Sequence, residues 1–145
     1  TGDSKTMKQF IVLLAVFPLM MAFMLQFAAQ QRTDYRIQLI NNAVDNACEK
    51  AKTEGRFSDE NVSGLRKTLA DISDCSEERI EISVSEDMKY RTGRYDEREM
   101  MQYRVAVPID GIMAMPGMFG ISAEENSMTY VLEDELSSEK IKPLK

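Results

Sequence analysis

The chain has 145 residues, a formal net charge of −6, 43% apolar residues and no histidine. Without histidine there is no Ser-His-Asp or Cys-His nucleophile machinery and no imidazole metal site. The acidic balance also argues against a general nucleic-acid surface, where phosphate neutralisation supplies most of the affinity. The averages conceal two parts: residues 1–30 hold 19 of the 63 apolar residues, while 31–145 carry 16 Lys plus Arg against 23 Asp plus Glu. A hydrophobic N-terminal helix over 1–30 and one modest, polar extracytoplasmic domain over 31–145 are therefore expected.

No charge falls between Lys8 and Arg32, and residues 10–29 read FIVLLAVFPLMMAFMLQFAA. As a helix this stretch rises about 30 Å, the thickness of a bilayer's hydrocarbon core. A soluble core helix is rarely apolar on every face, and the apolar region of a signal peptide is usually shorter, about 7–15 residues. A retained membrane-compatible helix is expected, with only Gln26 strongly polar and placed near one end. Lys5 and Lys8 before the span favour an N-terminus on the cytoplasmic side; Arg32 and Arg36 beyond it are partly balanced by Asp34. A start at Thr1 rather than Met suggests a removed leader. Pro18 lies inside the run, where it removes a backbone donor and is expected to kink or loosen the helix.

Beyond the apolar run, Ile37, Ile40, Val44, Ala47 and Ala51 recur at spacings of three and four, the mark of one apolar helix face. With no Pro or Gly between Pro18 and Gly55, the first helix is expected to continue through Lys52 and stop at Gly55. Ser58 or Asp59 can cap a second helix through about Asp71, with Val62, Leu65 and Leu69 on one face. Alternation then replaces the helical period: Ile80, Ile82 and Val84; Met101, Tyr103, Val105 and Val107; Met128, Tyr130 and Leu132. These predict three half-buried strands, the first two joined by a charged loop around Thr92 and Gly93. The expected fold class is α+β, a small antiparallel sheet laid over the stripe of the long helix.

Cys48 and Cys75 belong to a small domain displayed outside the membrane, where two cysteines usually pair. A disulfide is expected, and closing that 27-residue separation would stabilise the fold by about 3.5 kcal/mol on the chain-entropy model; two buried thiols are the alternative. The segment 108–122, PIDGIMAMPGMFGIS, interleaves Ile112, Met113, Met115, Met118 and Phe119 with glycines and prolines. It either folds back over the core or offers an adaptable apolar surface to a partner, with the partner surface preferred. The bases and aromatics of 89–95 could stack on single strands, but Asp87, Asp96, Glu97 and Glu99 cancel their charge, and a solvated hairpin tip is expected. The acidic stretch 133–139 is expected to be a solvated end. Glu124, Glu125 and Asp134 lack any calcium-loop motif, and no metal or cofactor is expected.

A short polar start at Gly2-Asp3-Ser4-Lys5, a charge-free helix containing Pro18, an amphipathic extension and a small sheet resemble the type IV pilin superfamily. In particular the chain looks like the pilin-like subunits of tight-adherence and related pili. The resemblance covers the architecture, while its sequence-specific part is confined to about residues 1–55. It implies a leader peptidase, an assembly platform, no catalytic activity, and copies of this chain as partners in a filament on the cell surface. Phe10, Leu13, Phe17, Pro18, Met21, Met24 and Phe27 would form the membrane and then the filament core. Met7, Met20, Met21 and Met24 suit adaptable helix packing. The family pattern carries a Glu at the fifth mature position, which neutralises a neighbour's terminal amine; here that position is Lys5. With Lys5 at that position, the nearest acid, Asp3, could take the role toward a neighbour's amine, or the processing site or subfamily differs. The alternative is a membrane-anchored accessory or sensor protein that forms no filament.

Overall fold

The computed structural model describes residues 2–143; Thr1, the expected processed start, lies outside them. Helix α1 (Gly2–Glu54) is unbroken through Pro18. The missing proline donor leaves one carbonyl unpaired without ending the helix, because bonds on either side continue the ladder. Gly55 stops it at φ +76°, a left-handed conformation open to glycine, and its N–H donates to the Ala51 carbonyl at 2.8 Å. The hairpin backbone crosses at this point: Lys89 N–H donates to the Gly55 carbonyl at 2.7 Å.

Helix α2 (Asp59–Ser73) begins at Ser58, whose hydroxyl accepts from Asn61 N–H at 3.3 Å. It packs antiparallel along α1, tied by the Asn61 side-chain amide donating to the Ala47 carbonyl at 2.8 Å. Strands β1 (Glu81–Val84), β2 (Met100–Asp110) and β3 (Ser127–Ser137) form one antiparallel sheet in that order. Ile82, Val105 and Leu132 sit side by side across it, so one sheet face carries the alternating apolar residues. Both helices cover that face. Ile40, Val44, Ala47 and Ala51 of α1 meet Leu65 and Leu69 of α2 and Met101, Val105, Val107 and Ile109 of β2 in one core. The expected α+β class and the helix-under-sheet arrangement are therefore present.

Two expectations need correction. The stretch 133–139 is not a solvated end: Glu133, Asp134 and Glu135 belong to β3, and Leu136 packs into the core. Outward-facing charge on an edge strand discourages pairing with another chain and masks the alternation. The cysteines are free thiols. Cys48 lies beside Tyr103, whereas Cys75 feels the charges of Arg79 and Asp110. Tyr103 and Asp110 are seven residues apart on β2, about 23 Å at about 3.3 Å per residue, whereas a disulfide needs Cα atoms within about 7 Å. The antiparallel run of α2 carries the chain away from Cys48 before it reaches Cys75. Burial pushes the Cys48 thiol up to about 11, with the Tyr103 hydroxyl opposing part of that rise; burial also raises Cys75. Neither is an activated thiolate.

Candidate assembly and membrane surface

The two ends of α1 live in different surroundings. Ala29, Thr33, Ile40, Val44, Ala47, Cys48 and Ala51 are buried by the domain. Below Ala29 no described residue of the helix is buried, and only Ala22 and Gln26 are partly covered; the helix is long and apolar enough to cross a membrane. Phe10, Leu13, Phe17, Met24 and Phe27 are each 60% to 65% exposed, and Met21 is 45% exposed.

At about 100° per residue, Phe10, Leu13, Phe17, Met21 and Met24 fall on one side of the helix, roughly opposite the stripe that the domain covers. Phe27 lies on the flank of that free side, and Pro18 near the domain's side. Five of the seven sequence-predicted core residues thus form an apolar ridge that the domain leaves open, and Pro18 lies off it. Full burial of a Phe, Leu or Met side chain is worth about 1.5–3 kcal/mol, so this ridge strongly favours lipid or protein over water. Asp3 and Lys5 are exposed in the first turns. Two positions apart, they do not face one another on a helix, and no ion pair joins them among the described residues.

No family model matches the chain, and no curated protein or solved structure matches it. The surface must therefore be understood from its own geometry.

The apolar segment after β2 turns down along α1. The Gln26 side-chain amide holds it twice: its Nε2 donates to the Ile112 carbonyl at 3.4 Å, and its Oε1 accepts from Ala114 N–H at 3.1 Å. Asn126 grips the same segment from the other side. Its Oδ1 accepts from Met113 N–H at 2.8 Å and its Nδ2 donates to the Met113 carbonyl at 3.0 Å. A single 3₁₀ turn, Pro116–Phe119, forms the tip. Met113, Met115 and Phe119 then stand over Leu19, Ala22 and Phe23, enclosing an apolar notch of about 200 Å³. Met113 and Met115 are half-buried, as is Ile112, which packs against the core, while Met118 and Phe119 remain 71% and 69% exposed. The segment thus folds back onto the helix and still presents an apolar tip.

A belt of charge marks where this apolar region ends. Arg36 donates to the Asp110 carbonyl at 3.1 Å, and Arg79 makes two hydrogen bonds to the Asp110 carboxylate at 2.9 and 3.2 Å. The hydrogen bonds from Arg79 hold Asp110 below the usual carboxylate range. Gln26 is visible in the sequence as the one strongly polar residue of the run, but nothing local identifies its partners. Asn126 carries no sequence signal at all. Glu124 and Glu125 are not brought to Asp134: Glu125 caps the Ser122 N–H and hydroxyl at 2.9 Å, while Asp134 pairs with Tyr103 toward the other end of the sheet.

Proposed function

We propose that this chain is the structural subunit of a pilus-like filament, held in the cytoplasmic membrane before assembly and exported into a surface fibre. The single observation that carries the reading is the open apolar ridge of α1 on the side away from the domain. In a membrane, lipid covers that ridge; in a fibre, the helices of neighbouring copies would. A contact between unlike faces repeated along a screw axis does not close, and so grows. The exposed Met118 and Phe119 extend the surface available to a neighbour. Lys5 and Lys8 favour a cytoplasmic N-terminus with the acidic domain outside, and Asp3 would meet a neighbour's terminal amine. A leader peptidase and an assembly platform are the remaining partners, and the role involves no catalysis or cofactor.

Electron microscopy of the expressing cell surface, and of material sheared from it, tests the reading. Fibres containing this chain are expected, and a chain that stays membrane-bound without fibres would instead be an anchored accessory protein.

A further inference from the structure

We infer that segment 111–123 is a second membrane-contacting element, seated in the outer leaflet beside α1 before assembly. The inference rests on α1 spanning the bilayer, and it follows from depth along the helix. The segment stands against Gln26, Phe23, Ala22 and Leu19, from about 9 Å to about 20 Å below Arg32 at about 1.5 Å per residue. With Arg32 and the Arg36–Asp110–Arg79 belt at headgroup level, the tip passes that level into the outer half of a hydrocarbon core about 30 Å thick.

The chemistry of the segment fits lipid. It carries no charge from Gly111 through Ala123, and its exposed large apolar side chains are Met118 and Phe119. Irregular backbone is excluded from lipid unless its polar groups find partners, and here about half of them do. Besides the Gln26 and Asn126 bonds, Gly111 N–H donates to the Asn126 carbonyl at 2.8 Å and Ile121 N–H to the Pro116 carbonyl at 3.0 Å. Met118 and Gly120 close turns onto Met115 and Gly117 at 3.3 Å. Two side-chain amides that each donate and accept do for this segment what water does for an ordinary surface loop.

The chain contains no tryptophan, so single substitutions give unambiguous reporters. The full-length Phe119→Trp, Phe17→Trp and Tyr95→Trp variants would be reconstituted separately in phosphatidylcholine vesicles containing acyl chains brominated at shallow or deep positions. For Phe119→Trp, blue-shifted emission is expected, with most fluorescence lost to the shallow bromines and less to the deep ones. For Phe17→Trp the deep bromines should quench more, and Tyr95→Trp, on the distant hairpin, should emit as in water. Met118→Trp should repeat the Phe119 result, guarding against a local packing defect. Aqueous emission from Phe119→Trp alongside a lipid-quenched Phe17→Trp overturns the inference and leaves the spanning helix intact. Blue-shifted but unquenched emission from Phe119→Trp also overturns it, since a second copy rather than lipid then covers the tip. Aqueous emission from Phe17→Trp removes the spanning helix and this inference together.

Discussion

The lower and upper halves of α1 share one unbroken helix and face opposite problems. In the upper half, Ile40, Val44 and Ala51 form a narrow stripe that sheet and α2 cover completely, while Gln, Asn, Asp and Lys face water. In the lower half every face is apolar, and only the side around Ala22 and Gln26 meets the chain's own loop. A helix needs an amphipathic face to belong to a domain and an all-round apolar surface to change surroundings. This chain builds both in sequence, so the domain can fold independently of whatever covers the lower half.

That separation is broken most strongly by comparing one residue from each half. Ile40→Ala should destabilise the domain by about 2–5 kcal/mol, because the site is fully buried between helices and sheet. Phe17→Ala should leave domain unfolding within about 0.5 kcal/mol of the parent, measured by near-ultraviolet circular dichroism of the full chain in detergent. Phe17→Asp should also preserve the domain while abolishing fibre growth, since a charge in an apolar helix bundle is costly. Normal fibres from that variant would sink the assembly role of the ridge.

The next effect lies where the helix ends. A Cβ on Gly55 would stand 2.5 Å from the Lys89 carbonyl oxygen in a left-handed backbone, combining strain with a collision against main chain. Gly55→Ala should therefore destabilise by about 2–3 kcal/mol. The hairpin around 85–99 should lose hydrogen-exchange protection before the α1–α2 contact does.

A smaller effect belongs to Glu99, only 2% exposed, which organises the same hairpin. Its carboxylate accepts from the Thr92 hydroxyl at 2.8 Å, the Thr92 N–H at 3.1 Å and the Tyr95 N–H at 3.3 Å. The Thr92 side-chain bond leads in holding its pKa below the ordinary value. A depressed carboxylate stabilises the fold above its unfolded pKa of about 4.3 and loses that contribution as pH falls through the folded value. Asp96, Asp110 and Glu125 are shifted in the same direction, so the informative quantity is the difference between parent and Glu99→Gln. The variant should unfold at a lower temperature at neutral pH, and the gap should narrow as pH falls through the lowered value of the folded Glu99 carboxyl.

Legibility in the sequence tracked the range of the interaction. The stop of α1 at Gly55 and the Ser58 cap were readable because spacing and capping chemistry are local. The free ridge was readable for the same reason: hydrophobicity on every face needs no partner to recognise. The strand β3 was only half legible, because Glu133, Asp134 and Glu135 on an edge conceal the period that Leu132 and Leu136 continue. The loop's seat on α1 depends on Gln26 meeting residues 86 and 88 positions away, and no local pattern encodes such a pairing.

The smallest expected effect concerns the cysteines, where the proposed compartment and the observed structure point in opposite directions. An extracytoplasmic location favours oxidation, and a bridge closing 27 residues would contribute about 3.5 kcal/mol. In the structure both are free thiols, Cys75 lying toward the Asp110 end of the sheet while Cys48 stays beside Tyr103. The core offers enough without a covalent link: two helices and three strands close over Ile40, Leu69, Met101 and Ile109, none of which is measurably exposed. Dithiothreitol should therefore leave the unfolding midpoint unchanged, and alkylation after unfolding without reductant should add two labels per chain. A reductant-dependent drop in stability with no label added would mean that the native domain rearranges to join them.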